Sequence, residues 1–303
     1  MINTYISNLI DELPNDFKQK YNNNCINLVL EGGLFNGSYM TGCLFYLKEL
    51  EKRKYININK ISGCSIGSLI ALLYFIENEE INLNIYKISY NHFKDNYNVN
   101  IFNKIFDLLE IHLPSNIIEK VNNKVYITYY NIKTCKQIIK CKYKNLSDLF
   151  ETIRRSCSFP FIVDNKIYYK KKYIDGLYPY IFPSNNKERV LYLNIHSLNK
   201  ISGMLSVKNE ITNMNRVFEG ITEANIFFKY DLNTSICSYI DKWNILDFFH
   251  YYIFIFIIHI FVFILNKCYN CQKLIRKSSE NNKININRLL YNFYIQILHN
   301  YCI

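Results

Sequence analysis

The order of apolar and polar positions predicts alternating strands and helices in the first half of the chain. Residues 27–30 form an apolar run typical of a buried strand, and residues 38–53 carry apolar side chains at helical spacing. A second strand is predicted near residues 56–61, and an apolar helix follows it to about Phe75. Residues 78–115 are then predicted to form an inserted helical cap.

Further along the chain the period changes from helical to alternating. Residues 125–132 and 138–143 alternate as the strands of a hairpin do, and a strand at 190–195 is predicted to close the sheet. Residues 201–238 are predicted to be helical cover, and a last helix is predicted to open at residues 281–283. The cap carries six apolar residues that are predicted to be core, with a fatty-acyl groove as the alternative: Phe102, Ile105, Phe106, Leu108, Leu109 and Ile111.

These elements divide the chain into five parts. Residues 1–24 are a short polar lead, 25–200 the main domain and 201–244 a helical cover. Residues 245–265 are a hydrophobic segment, and 266–303 are a basic tail. The length of 303 residues suffices for one domain of about two hundred residues with an appendage.

A serine stands between two glycines where the second predicted strand gives way to a helix. Gly63, Ser65 and Gly67 form a GxSxG pattern, the layout of a nucleophile elbow. The sharp turn strains the serine backbone, and the glycines let strand and helix approach closely. Ser65 would then stand at a helix N-terminus, where N–H groups and the helix dipole favour a developing negative charge. Ser65 is therefore a candidate nucleophile, although serines and glycines also build ordinary turns.

A glycine-rich loop follows the first predicted strand and reads Glu31-Gly32-Gly33-Leu34-Phe35-Asn36-Gly37. Its free N–H groups lie at the start of the next helix and can hold an oxyanion. A nucleotide phosphate loop would end in Gly-Lys-Ser or Gly-Lys-Thr, which this loop does not. A dinucleotide-binding loop needs glycine at its third position, where Leu34 stands.

An Asp-Gly pair, Asp175-Gly176, follows an Arg- and Ser-rich segment that ends at Pro160. By itself such a pair is a common turn. The order of a glycine-rich loop, a GxSxG elbow, an Arg/Ser-rich helix and Asp-Gly is similar to that of the patatin-like phospholipases. The resemblance runs from about Leu28 to Pro183, roughly half of the chain.

Members of that family are three-layer α/β proteins with a central, mostly parallel sheet, and they hydrolyse acyl esters of lipids with a Ser-Asp dyad. The resemblance therefore implies this fold, with a C-terminal hydrophobic helical region added here. It implies that Ser65 is the nucleophile and that Asp175 is the proton acceptor. The implied oxyanion hole is built from the backbone N–H groups of Gly32, Gly33, Leu34 and Gly37.

The chain departs from the family pattern at three positions. Leu34 stands where a third glycine is usual, and Asn36 stands where a basic residue is usual. After Asp-Gly the family has Gly or Ala, and this chain has Leu177, whereas Pro183 falls where a proline is usual. Leu34 and Asn36 favour an alternative interpretation, a non-catalytic lipid-binding module on the same fold.

The dyad is chemically reasonable without the family. A serine hydroxyl is a weak nucleophile until a nearby base takes its proton, and a carboxylate can do so when an apolar pocket raises its pKa. A triad would need a histidine after Asp175. His250 and His259 lie in an apolar run, which leaves His196, just after a predicted strand, as the candidate. The dyad is the preferred interpretation.

The chain is apolar and basic, with 50% hydrophobic and 16% aromatic residues and a formal net charge of +11. A positive surface is attracted to anionic lipid headgroups. Nucleic acid is the competing partner, but the sequence has no nucleic-acid-binding signature and its charges are scattered. The densest basic cluster, residues 170–172, is either a solvated loop or a site that attracts a phosphate headgroup.

Ten cysteines are spread along the chain and no signal peptide is present, which predicts free thiols, a reducing compartment and no secretion. Cys268 and Cys271 form a single CxxC, which without a second pair or a flanking histidine is a poor zinc signal. Their place after the apolar run makes them candidates for palmitoylation.

The apolar run at residues 245–265 has about the length of one membrane span, since about 21 helical residues cover roughly 31 Å. A buried helix or a strand pair is the alternative. If the run spans, the basic residues from Lys267 to Lys277 place the tail in the cytosol, opposite a cytosolic catalytic domain. A tail anchor or an interfacial helix removes this conflict. Membrane association with a cytosolic catalytic domain is expected.

The sequence therefore predicts a serine acyl hydrolase that cleaves glycerolipid or phospholipid esters at a membrane surface. Dyad chemistry needs no metal, so neither a metal nor a cofactor is expected, and nucleic acid is not expected as a partner. Acyl transfer to a lipid acceptor uses the same residues and stays open beside hydrolysis and the lipid-binding module.

Overall fold

A computed structural model describes residues 2–21, 23–76, 78–183, 188–196, 200, 202–204, 210, 212–278, 291–292 and 294–296. Within these residues the chain forms a seven-stranded sheet flanked by helices. The strands are β1 Asn24–Leu30, β2 Ile56–Cys64, β3 Val125–Asn131, β4 Lys136–Lys140, β5 Tyr173–Ile174, β6 Arg189–Leu193 and β7 Cys237–Tyr239. The helices are α1 Ile2–Asp11, α2 Asn15–Lys20, α3 Gly37–Lys52, α4 Ile66–Leu73, α5 Glu79–Asn96, α6 Phe102–His112, α7 Ile117–Val121, α8 Leu146–Ser156, α9 Met214–Tyr230 and α10 Ile245–Ser278.

The centre of the sheet is parallel and its edges are antiparallel. Strands β3, β2, β1 and β6 lie side by side in parallel, while β4 pairs with β3 and β7 pairs with β6 in the opposite sense. The carboxyl ends of the central strands therefore meet at one edge, where ligand sites of α/β proteins form. This confirms the predicted α/β fold with a central, mostly parallel sheet.

Strand β5 occupies a special place beside the end of β3. Strand β2 pairs with the first four residues of β3 and ends at Cys64. Beyond that point β5 pairs with Tyr130 and Asn131 of β3. The chain that leaves β5 is thereby brought next to the chain that leaves β2.

Two predictions for the sheet region have clear outcomes. The hairpin is confirmed as the antiparallel pair β3 and β4. The prediction that the strand at 190–195 closes the sheet is wrong, because β7 pairs with the outer side of β6. Strand β7 is three residues long, too short to show a period, and it lies within the stretch predicted as helical cover. The described helix of that cover is α9.

The predicted polar lead forms helices α1 and α2. In α1 the side chains of Ile2, Ile6 and Ile10 are spaced one turn apart and are buried in the main core. Because many polar residues separate them, the overall composition of residues 1–24 does not reveal this apolar stripe. The helical cap is confirmed as α5 and α6, whereas the helix predicted at residues 281–283 lies outside the described residues.

The hydrophobic segment is part of one continuous helix, α10, of 34 residues. A strand pair is therefore excluded. Its stretch Ile245–Asn270 is long and apolar enough to cross a membrane, yet only 11% of the most apolar window is buried. Because so little of this window is buried, the alternative of a buried core helix is wrong.

Candidate active site

Ser65 lies in the turn between β2 and α4 and caps the N-terminus of α4. Its backbone angles, φ 50° and ψ −129°, are unusual for a residue with a side chain and store strain of about 1–3 kcal/mol. Hydrogen bonds to both backbone groups of Ser65 hold this conformation. The N–H of Ser65 donates to Oγ of Ser156 at 2.9 Å, and the carbonyl oxygen accepts from Oγ of Ser68 at 2.7 Å. The predicted elbow is present in the backbone.

The two elbow glycines are needed for close approach. A Cβ at Gly63 would lie 2.5 Å from the carbonyl oxygen of Gly67, and a Cβ at Gly67 would lie 2.6 Å from those of Leu30 and Glu31. Real Cβ atoms do not come so near to backbone oxygens. The GxSxG spacing therefore lets β2, α4 and the end of β1 pack together around Ser65.

Asp175 and Gly176 follow β5 and are fixed by the end of helix α8. The N–H of Asp175 donates to the carbonyl oxygen of Ser158, and the N–H of Gly176 donates to that of Ser156, each at 3.0 Å. A Cβ at Gly176 would lie 2.4 Å from the carbonyl oxygen of Thr128 in β3, so this position is also tightly enclosed. Ser156 thus contacts both the elbow and the Asp-Gly pair.

Asp175 is almost fully buried, with 2% of its surface exposed. Burial raises its pKa to about 7, against the lowering effects of the Leu177 N–H, the Ser65 hydroxyl and the charge of His196. The N–H of Leu177 donates to Oδ1 at 2.9 Å, whereas Oδ2 has no well-aligned hydrogen bond among the described residues. A carboxylate with a pKa near neutral can take a proton from a neighbouring hydroxyl.

The glycine-rich loop runs against Ser65 between β1 and α3. A Cβ at Gly32 would lie 3.0 Å from Cβ of Ser65, tighter than most real contacts, so glycine here favours the close approach of the loop backbone. Gly33 has φ 155°, residues Leu34–Asn36 form one turn of 3-10 helix, and Gly37 opens α3. The loop therefore brings backbone and a helix N-terminus to the serine.

Two departures from the family pattern keep a backbone suited to glycine. Leu34, at the position of the third glycine, has φ 49°, and Leu177, at the position of Gly or Ala, has φ 59°. Residues with a side chain avoid such angles at a cost of about 1–2 kcal/mol. At both positions a residue with a side chain therefore occupies a left-handed backbone conformation.

Asn36, at the position of the usual basic residue, is completely buried and organises the loop. Its Nδ2 donates to the carbonyl oxygens of Ile195 and Lys200 at 3.2 and 2.8 Å. Its Oδ1 accepts from Nη1 of Arg216 in α9 at 2.7 Å, and Arg216 in turn forms an ion pair with Glu210 at 2.8 Å. A buried cation thus stands beside the loop although the loop itself carries none.

His196, the candidate third member of a triad, pairs with Glu31. Its Nδ1 lies 2.7 Å from Oε2 of Glu31, an ion-pair contact without well-aligned hydrogen-bond geometry. Burial alone would lower the pKa of His196, but the charges of Glu31 and Asp175 raise it above its ordinary value. Glu31 also accepts from the hydroxyl of Tyr192 and from the N–H of Ile195. Glu31 rather than Ser65 is therefore the partner that holds His196.

An apolar cavity of about 100 Å³ extends from Ser65 beneath the helical cap. Phe102 and Ile105 of the cap line it, so the acyl-groove interpretation fits these two side chains. Phe106 and Leu109 are core, and Ile111 is 77% exposed. Other apolar residues in its wall are Leu34, Phe35, Ile66, Leu69, Ile70, Leu73, Ile85 and Val99.

The remaining candidate residues have separate positions. Lys170 of the basic cluster lies 2.6 Å from Glu151, which leaves the exposed Lys171 to face solvent. His250 and His259 are exposed on α10, and the side chain of Cys271 is outside the described residues. Within the described part of the chain, no cluster of three or more His, Cys, Asp and Glu side chains is suited to a metal ion.

Sequence reasoning missed the groups that position the site. Ser156 and Ser158 belong to the Arg/Ser-rich segment, which marked the order of motifs but gave no role to either serine. Glu31 stood only as the first residue of the loop sequence, with no role predicted for it. Arg216 lies about 180 residues from the loop that it contacts. These roles depend on long-range contacts, for which a single sequence carries no signal.

A comparison with protein-family models matches residues 28–132 to the patatin-like phospholipases. This match confirms the resemblance to that family over about a third of the chain. The matched residues include the glycine-rich loop and the GxSxG elbow but end before Asp175. No curated protein matches the chain.

Proposed function

We propose, with the patatin-like match of residues 28–132 as the premise, that the protein hydrolyses carboxylic esters of glycerolipids or phospholipids. Ser65 is the nucleophile and Asp175 the proton acceptor in this proposal. The observation that supports it most is a strained serine in the wall of an apolar cavity, next to a buried carboxylate whose pKa of about 7 is lowered by the serine hydroxyl. Such a pairing is typical of sites in which a base activates a hydroxyl.

In the proposed reaction Oγ of Ser65 attacks the ester carbonyl carbon while Asp175 takes the hydroxyl proton. The negative charge that develops on the carbonyl oxygen faces the backbone of Gly32, Gly33 and Leu34. The alcohol leaves with the proton from Asp175, and an acyl ester on Ser65 remains. A water molecule then gives a proton to Asp175 and attacks the acyl carbon, the bond to Oγ of Ser65 breaks, and Oγ takes the proton from Asp175 as the fatty acid leaves.

The cavity supports a lipid acyl chain as the group transferred to Ser65. Its wall is mostly apolar, with a few polar side chains such as Ser38, Thr41 and Asn82, and is formed largely by α3, α4 and the two cap helices. Burial of each methylene group from water contributes about 0.8 kcal/mol to binding. An acyl chain with several methylene groups would therefore be preferred over acetate, and the alcohol part of the lipid would remain outside the cavity.

Membrane association is part of the same proposal. Helix α10 offers a long apolar surface, and the net charge of +11 favours anionic headgroups. The catalytic domain is proposed to lie in the cytosol, where the ten cysteines remain reduced. Lys171 is proposed to attract headgroup phosphate.

The test is fatty-acid release from mixed phospholipid vesicles in EDTA by the wild type, Ser65→Ala and Asp175→Asn. Asp107→Asn, which changes an exposed carboxylate on α6, is the matched control. Circular dichroism and thermal unfolding establish that each variant is folded. The proposal predicts release by the wild type and the control, and a loss of about 10³-fold or more in both site variants.

Other outcomes would support a lipid-binding module, acyl transfer or a metal-dependent reaction instead. If no variant releases fatty acid and all bind vesicles equally, the chain is a lipid-binding module. If the acyl group is recovered on a second lipid instead of as free fatty acid, the reaction is acyl transfer. Loss of activity in EDTA that calcium restores would contradict the metal-independent mechanism.

A further inference from the structure

The inner face of α10 packs along the catalytic domain for most of its length. Its contacts begin at Tyr251, whose ring lies 6.3 Å from that of Tyr192, and continue through Ile258 and Val262, which are buried. They end at Tyr269, whose ring lies 5.4 Å from that of Tyr168. From Tyr251 to Tyr269 this contact extends over roughly 27 Å of helix.

The outer face of the same helix is apolar and exposed. Its exposed fractions range from 41% to 64% in seven large side chains: Tyr252, Ile253, Phe256, Ile257, Ile260, Phe263 and Ile264. If each full side chain presents about 200 Å², the exposed patch is on the order of 700 Å². The largest apolar patch of an ordinary soluble monomer is about 300–600 Å². This face is therefore built for contact with another apolar phase.

A membrane span is incompatible with the packed inner face. To cross the hydrocarbon core, α10 would carry the attached surface of the domain into the lipid. That surface includes Lys133, whose Nζ lies 5.9 Å from the ring of Tyr269, and the loop with Lys172, whose carbonyl oxygen accepts from the N–H of Ile132. Charged side chains are costly in hydrocarbon. The packed helix can meet a bilayer only along its side.

Basic residues gather beside the C-terminal half of the exposed face. Lys267 lies on α10 itself, with Nζ 5.1 Å from the ring of Phe263. Lys133 lies with Nζ 5.9 Å from the ring of Tyr269, and the loop with Lys171 and Lys172 adjoins Ile132. The one acidic residue of α10 within its described side chains is Asp247, at the other end. Cations next to an apolar helix face match the headgroups and acyl chains of an anionic leaflet.

We propose that α10 is an in-plane membrane-docking helix whose outer face enters one leaflet of an anionic phospholipid bilayer. In this arrangement the apolar side chains lie about 5–10 Å deep and the lysines contact the headgroups. The basic residues after the run and the catalytic domain then stay on the same side of the membrane. The conflict with the positive-inside rule disappears without a tail anchor.

The docking helix also adjoins the site, and in this respect the inference rests on the proposed function. The ring of Phe261 stacks on that of Phe159, and His259 lies against Tyr178, each at 6.2 Å. Phe159 follows Ser158, which binds the N–H of Asp175, and Tyr178 follows Leu177. Docking by α10 therefore brings the surroundings of Asp175 to the leaflet that holds the lipid esters.

The first experiment measures binding of the full chain to vesicles by flotation. The Ser65→Ala background separates binding from hydrolysis, so failure of one does not imply failure of the other. Vesicles of phosphatidylcholine are compared with vesicles that also contain phosphatidylserine. The double variant Phe256→Ser/Phe263→Ser changes two exposed outer side chains, and Ile111→Ser is the matched control on α6.

We expect stronger binding to the anionic vesicles, weakened by salt. The double variant should lose about tenfold or more in affinity for each side chain, while the control binds as the parent does. Both variants should unfold at the temperature of the parent because the changed side chains are exposed. Unchanged binding by the double variant would overturn the proposal. A change in its oligomeric state without a change in vesicle binding would instead assign this face to a second copy of the chain.

The second experiment distinguishes an in-plane helix from a span. Trp243 is the single tryptophan of the chain, so Trp243→Phe/Phe256→Trp places one fluorophore near the middle of the apolar stretch. Lipids with nitroxide groups at different depths then quench its emission. In-plane docking predicts that shallow nitroxides quench most strongly, whereas strongest quenching from the bilayer centre would show a span and contradict the inference.

Discussion

Leu34 offers the sharpest test of how the glycine-rich loop is built. At φ 49° a residue with a Cβ is strained by about 1–2 kcal/mol, which glycine avoids. Glycine also gives the unfolded chain more freedom, which costs about 0.4–1 kcal/mol. The variants Leu34→Ala and Leu34→Gly both remove the Leu side chain, so the difference between them isolates the backbone. We expect the Gly variant to be more stable by roughly 0.5–1 kcal/mol.

The matched control is Lys87, an exposed residue in the middle of α5. In a helix interior Ala is more stable than Gly by about 1 kcal/mol, so the sign should be reversed there. Equilibrium urea unfolding of the four variants gives both differences with the same assay. If Ala is favoured at position 34 as much as at position 87, the left-handed backbone of the loop is wrong. The interpretation that Leu34 occupies a backbone conformation suited to glycine would then be wrong.

Three further predictions concern the neighbourhood of Ser65. Ser156→Ala removes the acceptor of the buried Ser65 N–H, so it should cost about 1–3 kcal/mol of stability and much of the activity. Ser158→Ala leaves the hydrogen bond from the Asp175 N–H to the Ser158 carbonyl oxygen intact, so it should cost less. Chemical unfolding compares the stability of the two variants. The pKa of Asp175 is about 7 in the folded protein and about 4 in the unfolded chain, so the stability of the wild type should fall as pH rises between these values. Asp175→Asn should therefore unfold at a higher temperature than the wild type at pH 8 but not at pH 4. The charge of His196 lowers the pKa of Asp175, so His196→Gln should move the acid limb of the kcat/KM profile to higher pH, and an unshifted limb would contradict this coupling.

The parts of the fold that sequence could predict are those with a local cause. The elbow spacing is set in part by the close contact of Gly63 with Gly67 within one turn, and the hairpin shows its own alternating period. Strand β7 is too short for any period, and α1 shows only three isoleucines among polar residues. Both are held by tertiary packing that a local pattern does not contain.

The candidate site divides in the same way. The motifs around Ser65 and Asp175 are visible in the sequence, but their meeting depends on β5 replacing β2 beside β3. The raised pKa of Asp175 comes from burial, which no sequence pattern measures. Asn36 shows the limit most clearly, because its side chain binds Arg216, which lies 180 residues further along the chain.

Covalent labelling of Ser65 shows whether Asp175 activates its hydroxyl. A long-chain alkyl phosphonate ester that reacts with activated serines is incubated with the wild type and with Asp175→Asn, and the adduct is located by peptide mass spectrometry. We expect a single adduct on Ser65, formed faster as pH rises through about 7 and lost in Asp175→Asn. An adduct on another residue, or equal labelling of Ser65 in the Asp175→Asn variant, would contradict this expectation.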